Sequence, residues 1–188
     1  MRNDSAQQVS AVAPDEPELI RRAQAGDRGA LGILVRSYQR RVYALGIRFF
    51  RNSDDAEDLV QETFIRAWHA LDRFDPERPF APWLMRIASN RALTEIATRK
   101  RRGNEELDES ISWSGPGADD DLERQQLQQD VERAVADLPA DQRMILLLRA
   151  TEGLSYREIA ENMDIPIGTV MSRLARARET MRKKVKRQ

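Results

Sequence analysis

The side chains best placed to do chemistry lie between Leu154 and Arg178, in the stretch LSYREIAENMDIPIGTVMSRLARAR. Their chemistry is recognition. Thr169, Ser172, Arg173, Arg176 and Arg178 are hydroxyl and guanidinium groups, the donors that bind phosphates and base edges. Covalent work has no equipment in the chain. There is no cysteine, hence no thiolate nucleophile and no Cys-ligated zinc. His69 is the single histidine and has no second metal ligand in sequence reach. No Ser/His/Asp set, phosphate-binding glycine loop or metal-ligand cluster is present, and the pair Asp54/Asp55 has nothing else of a nuclease beside it. No catalytic residue, metal, cofactor or small-molecule substrate is expected.

The elements that must position those donors are two short helices and a tight turn. Ser155 and Glu158 form a capping box, each side chain satisfying a backbone N–H of the first turn. Leu154 and Ile159 flank it as a hydrophobic staple, and Ile159, Ala160 and Met163 give an apolar face. Asp164-Ile165-Pro166 stops the helix, because the residue before proline avoids helical geometry. Gly168-Thr169 opens the second helix, in which Val170, Leu174, Ala177 and Met181 repeat at helical spacing as a buried stripe. The opposite face keeps the polar and basic side chains. A helical hairpin with a solvated basic face is the plainer account. The capping box, the proline turn and the arginine-bearing face agree instead on a DNA-binding helix-turn-helix.

The 188 residues carry no net charge, but the balance is uneven along the chain. Residues 1–17 sum to −2, 18–102 to +6, 103–137 to −9 and 138–188 to +5. Two basic blocks suit a polyanion, and the acidic block between them repels one. Residues 1–17 are read as a disordered tail, 18–102 as one helical domain, 103–121 as a flexible acidic linker and 122–188 as a second helical domain, an all-α chain. The linker's Glu105, Glu106, Asp108, Glu109, Asp119, Asp120 and Asp121 extend it by self-repulsion. Without a long apolar run no membrane insertion is expected, and the opening MRNDSAQQVSAVAPDEP lacks the order of a signal peptide, so a cytoplasmic protein is expected.

Within 18–102, Leu19, Ile20 and Ala23 begin a short helix that Gly26 ends, and Asp27 caps a second that runs to about Phe50. Arg36, Arg40, Arg41 and Arg48 take its remaining faces. Ser53 starts a third, with Ala56, Leu59, Val60, Phe64, Ala67, Trp68 and Leu71 as its apolar stripe. The helix macrodipole accounts for acids at Asp54 and Asp55. It does not account for Asp58, Gln61 and Glu62 further along, which form an exposed ridge suited to a partner. Pro82 marks the first turn of a fourth helix. Leu84, Ile87, Ala88 and Ile96 face inward there, and Arg86, Asn90, Arg91, Thr94 and Arg99 outward. Phe80 and Trp83 beside that basic helix are the combination that stacks unpaired bases and holds their phosphates, although a buried Trp83 fits the pattern equally well. In the second domain one helix restarts at Leu122 and another spans Asp141 to Glu152, centred on Met144, Ile145, Leu147 and Leu148.

These stretches resemble a known family. SDDAEDLVQETFIRAW is similar to region 2.2 of bacterial RNA polymerase sigma factors, FAPWLMRIASNRA to the promoter-opening helix that follows it, and LPADQRMILLLRATEGLSYREIAENMDIPIGTVMSRLARAR to region 4. With only these two domains over about Glu18–Arg102 and Asp121–Lys186, the chain resembles the extracytoplasmic function (group IV) type. The resemblance implies a factor that binds core RNA polymerase and directs it to promoters, performing no covalent chemistry. Asp55, Asp58, Gln61 and Glu62 would dock on the β′ clamp helices, and the second domain on the β flap. Phe80, Trp83, Arg86, Asn90 and Arg91 would take the −10 element as an unpaired strand. Thr169, Met171, Ser172, Arg173 and Arg176 would read the −35 element in the major groove. An anti-sigma protein is a common partner in that family. Methionine stands at 171 where members often carry arginine, and it cannot make a bidentate contact to guanine, so no −35 sequence carries over.

Two rival readings differ in class. A helix-turn-helix repressor or activator would bind duplex DNA alone and would not need the acidic ridge. A nuclease or helicase accessory would need the catalytic groups that are missing.

Overall fold

The computed structural model describes residues 15–103 and 122–185. The readings of a disordered tail and of an acidic, extended linker fall almost wholly outside the described residues. Every regular element within them is helical: α1 Glu16–Gln24, α2 Arg28–Phe50, α3 Ser53–Ala70 with a 3-10 turn Leu71–Arg73, α4 Phe80–Arg102, α5 Leu122–Ala136, α6 Ala140–Ala150, α7 Tyr156–Met163 and α8 Ile167–Val185.

The boundaries follow local chemistry. Asp27 accepts from the backbone N–H groups of Gly29 and Ala30 at 2.8 and 3.1 Å and so starts α2. Asn52 accepts from Asp55 N at 3.0 Å and starts α3. Four starts differ from the sequence reading, that of α6 by one residue, at Ala140 rather than Asp141. Helix α1 begins at Glu16, inside the expected tail, because Pro17 is suited to its first turn. Helix α4 begins at Phe80, two residues before Pro82, since the first turn needs no N–H at that position either. Helix α8 begins at Ile167 rather than Gly168.

Helices α2 and α3 lie closely antiparallel, and Gly46 is the reason. A Cβ built there would sit 3.0 Å from Ala56 Cα, 3.1 Å from Ala56 Cβ and 3.2 Å from Leu59 Cδ2. Two small residues, Gly46 and Ala56, face each other where the backbones approach.

One apolar core runs through both halves of the chain, from Ile20, Leu45 and Phe49 to Met144, Ile145, Leu148, Val170 and Leu174. Helix α6 explains the continuity. Met144, Ile145, Leu147 and Leu148 are all buried, too wide an arc for one helix face. It packs on α8 on one side and on α2 and α4 on the other. Polar contacts cross the same boundary. The guanidinium of Arg143, 5 % exposed, donates to Phe49 O at 2.7 Å and to Leu138 O at 3.2 Å, and lies over the Phe49 ring. Burial pushes its pKa down, and carbonyl dipoles replace the water it has lost. Arg41 pairs with Glu152, and Ser89 Oγ donates to Asn162 Oδ1 in a buried contact.

Candidate nucleic-acid interface

The acidic ridge on α3 divides in two. Asp55 and Glu62 do not project freely. Arg99 Nη1 reaches Asp55 at 2.7 Å, Arg91 Nε reaches Glu62 at 2.6 Å, and Glu95 accepts from both arginines at 2.9 and 2.8 Å. Arg66 adds a second contact to Glu62 at 3.3 Å. The helices run antiparallel, so the seven-residue step from Asp55 to Glu62 matches the eight-residue step from Arg99 back to Arg91. This brace overturns the expectation that Arg91 and Arg99 face outward. It lowers the Glu62 carboxyl below its usual range, chiefly through the Arg91 hydrogen bond, and lowers Glu95 through Arg91 and then Arg99. The Arg99 guanidinium is raised in turn, first by its bond to Asp55.

Asp58 and Gln61 stay exposed, and the row they begin continues through Ile65 and Trp68. Ile65 is 56 % exposed and Trp68 39 %. The spacing i, i+3, i+7, i+10 puts all four on one face. Trp68 therefore leaves the stripe expected to be buried, because Ala67 and Leu71 take the inward direction at that end of α3. Ile65 was not singled out from the sequence, yet it stands outside the buried period and its apolar type there was the available signal. His69 lies exposed beside this face.

At the start of α4 the aromatic side chains share their duties differently from the sequence reading. Phe80 is 3 % exposed, so it cannot stack on a base. Its ring meets Tyr38 at 5.3 Å, Phe74 at 5.6 Å and Trp83 at 5.3 Å. Glu16 fastens this cluster from α1, accepting from the Tyr38 hydroxyl and from Phe80 N at 3.4 Å. Burial, then the Glu16 carboxylate, pushes the Tyr38 phenol up. Trp83 is half-buried, with Phe74 4.6 Å from its ring, and also lines a cleft of about 440 Å³. Arg73, Arg78 and Arg86 line one side of that cleft, and Glu158, Glu161 and Asn162 of α7 the other. Asn90, one turn beyond Arg86, is exposed.

In the second half the expected helix-turn-helix is present. Ser155 Oγ accepts from Glu158 N at 3.2 Å, and Glu158 accepts from Ser155 N at 2.7 Å. The Ser155 hydroxyl beside its carboxylate, and then the Ser155 N–H, hold the Glu158 carboxyl below its usual range. Asp164, with φ 53°, ends α7 in the left-handed region. Val170, Leu174 and Ala177 point inward, each at most 1 % exposed. Ser172, Arg176 and Arg178 point outward as expected. Arg173 does not, since its Nε lies 3.1 Å from Asp141 of α6 and its side chain is 30 % exposed. Thr169 is half-buried beside it. Met171 is 54 % exposed and Ile167 49 %. Among the described residues no group of acidic or histidine side chains is arranged to hold a metal ion, and no helix is long and apolar enough to cross a membrane.

Helices throughout the described residues, a helix-turn-helix, an aromatic and arginine-lined cleft that its first helix helps to line, and a mixed acidic and apolar face define the class of DNA-directing proteins that also dock on a protein. The comparisons name the family. The model for Sigma-70 region 2 matches residues 34–102, and that for Sigma-70, region 4 matches residues 128–181. The ECF RNA polymerase sigma-E factor of Escherichia coli is 41% identical over 177 residues, covering 89% of this chain and 92% of that protein. The RNA polymerase sigma-H factor of Pseudomonas aeruginosa is 37% identical over 178 residues, with the same two coverages. Among solved structures, the sigma factor RpoE bound to the anti-sigma factor NepR from Bartonella quintana aligns with a TM-score of 0.64 at 30% identity, over 82% of this chain and 93% of that one. CnrH in complex with the cytosolic domain of CnrY aligns at 0.62 and 30%, over 89% and 95%. This chain belongs to the sigma-70 family of RNA polymerase sigma factors, in its extracytoplasmic function branch. It is a promoter-directing factor. A repressor acting through duplex DNA alone has no use for a region 2.

Proposed function

We propose that the chain works as a two-domain adaptor, region 2 within residues 18–102 and region 4 within 122–188, and that it acts by binding alone. The observation that carries this reading is the outward row Asp58, Gln61, Ile65 and Trp68 on a chain with two separate basic faces. That row pairs exposed charge with exposed apolar surface, the composition of a protein contact. Its partner is the β′ clamp helices of core polymerase. The brace between α3 and α4 holds the row rigid, so Asp55, Glu62 and Arg91 serve the interface by positioning it. Region 4 adds a contact to the β flap.

Trp83, Arg86 and Asn90 take the unpaired −10 strand, with Phe80 as the support beneath Trp83. Stacking and phosphate contacts on the captured strand offset the cost of opening the duplex. The exposed face of α8, with Ser172, Arg176 and Arg178, reads the −35 element. The relative solved with the anti-sigma factor NepR supports such a partner as a regulator of this chain, and a factor that works on core polymerase does so in the cytoplasm.

Run-off transcription with purified core polymerase on genomic fragments tests the proposal. Transcripts appearing only when this protein is added are the expected result. Specific binding of the protein to duplex DNA without core, and no new transcripts with it, would return the repressor reading.

A further inference from the structure

The outward face of α8 is not uniformly polar. Three residues at i, i+4 and i+8, Ile167, Met171 and Ala175, form an exposed apolar row along it. Ile167 and Met171 are two of the five large hydrophobic side chains the described residues leave exposed, at 49 % and 54 %. Among the described residues neither joins the core that takes their neighbours Ile165 and Val170. Beside this row runs a second, Gly168, Ser172 and Arg176, and Arg178 lies two turns on from Met171. A Cβ at Gly168 would meet nothing within 4 Å, so the surface next to Met171 is open to close approach.

An apolar row one residue wide buries little area against a protein, and the guanidiniums beside it are the donors that bind phosphates. It fits the floor of the major groove. There the only apolar group a base pair presents is the C5-methyl of thymine, and the groove's phosphates meet the flanking guanidiniums. We propose that Met171, with Ile167 beside it, is a specificity-determining residue that selects thymine in the −35 element by burying its methyl group. The proposal rests on the reading of α8 as the −35 helix. The flexible, polarizable thioether follows the methyl without demanding one rigid geometry.

Deoxyuridine, which is thymine without the methyl, isolates the contact. The probe is a promoter fragment selected by the holoenzyme from duplexes randomised across the −35 region, resynthesised with deoxyuridine at one thymine at a time. With the parent holoenzyme we expect at least one position at which the replacement weakens binding about fourfold, the worth of one buried methyl. Met171→Ala should bind the thymine and deoxyuridine forms alike, and it should fold normally because the side chain touches no core. Met171→Leu, still apolar, should keep the discrimination. If no position distinguishes the two bases, or if Met171→Ala distinguishes them as the parent does, the proposal is overturned. If Met171→Ala instead weakens holoenzyme assembly and leaves base discrimination intact, the row is a protein contact and the proposal is equally overturned. A parent holoenzyme that binds scrambled −35 sequences as well as selected ones would remove the −35 reading itself, a result separable from both.

Discussion

Single side chains on α3 look alike in the sequence and do different work in the fold. Asp58 is exposed and unencumbered by the α4 arginines, whereas Glu62 holds Arg91 at 2.6 Å. Asp58→Lys should therefore weaken core-polymerase binding about tenfold with helix content and melting temperature unchanged, since a rim charge acts on association. Competition against the parent for core measures it. Glu62→Lys should lower the melting temperature as well, because it leaves Arg91 facing a like charge. Equal competition by Asp58→Lys would mean that the row is only a solvated face. On α4, Asn90 is short, polar and exposed. Asn90→Ala should cost about 1 kcal/mol of holoenzyme affinity for a single-stranded −10 oligonucleotide, the value of one hydrogen bond, with −35 binding normal. Unchanged oligonucleotide affinity would remove Asn90 from the strand path.

Between elements, the contact of α2 with α3 and the brace of α3 with α4 fix how the outward row is presented. Gly46→Val would drive two methyl groups into the backbone and side chain of Ala56. It should destabilise the protein by about 1–3 kcal/mol in denaturant unfolding, the usual cost of overpacking. A loss near zero would mean that α2 can slide away from α3. The brace also makes stability depend on acid. The carboxyls of Glu62 and Glu95 lie below their ordinary value of 4.5 in the folded chain. A carboxyl depressed by folding stabilises at pH values above its unfolded value, and that contribution is lost as pH falls through the folded value. The melting temperature should thus fall as pH drops below about 4.5. Glu95→Gln should start lower and fall less steeply. Parallel curves for the two proteins would assign the acid loss to other carboxylates.

At the scale of the molecule, α7 lies over the cleft that would receive the −10 strand, and Glu158 and Glu161 face Arg73, Arg78 and Arg86 across it. On the proposed reading, acidic side chains there would stand where strand phosphates have to go. The two halves are held by apolar contacts, by the Arg41–Glu152 pair, by the bond of Arg143 to Phe49 O, and by Asn162, which accepts from Ser89 and donates to Pro82 O at 3.4 Å. Asn162→Ala should leave no orphan, since Ser89 Oγ also donates to Arg86 O at 3.3 Å. We expect faster amide exchange in α7 and severalfold tighter binding of a −10 oligonucleotide by the free protein. Unchanged exchange and affinity would show that the apolar contacts, with the Arg41 and Arg143 bonds, keep the halves together without Asn162.

Period and capping determine much of this protein without any tertiary contact. Ser155 and Glu158, the proline turn and the Val170 stripe specify the helix-turn-helix from neighbours within a few residues, because caps and helix faces are local matters. The same holds for the buried faces of α1 and α2 and for the division into helices. What the fold decided are pairings between residues far apart in the chain. Arg91 and Arg99 read as outward cations until α3 supplies Glu62 and Asp55 opposite them. Phe80 reads as a base platform until Tyr38, Phe74 and Trp83 close around it, and Trp68 reads as core until Ala67 and Leu71 fill the inward direction. Arg173 is drawn from the reading face by Asp141, which precedes it by more than thirty residues. A helical pattern states which residues share a face. Which face meets another helix, and which meets solvent, depends on how helices distant in sequence pack, and that is settled only when the whole chain buries its apolar surface at once.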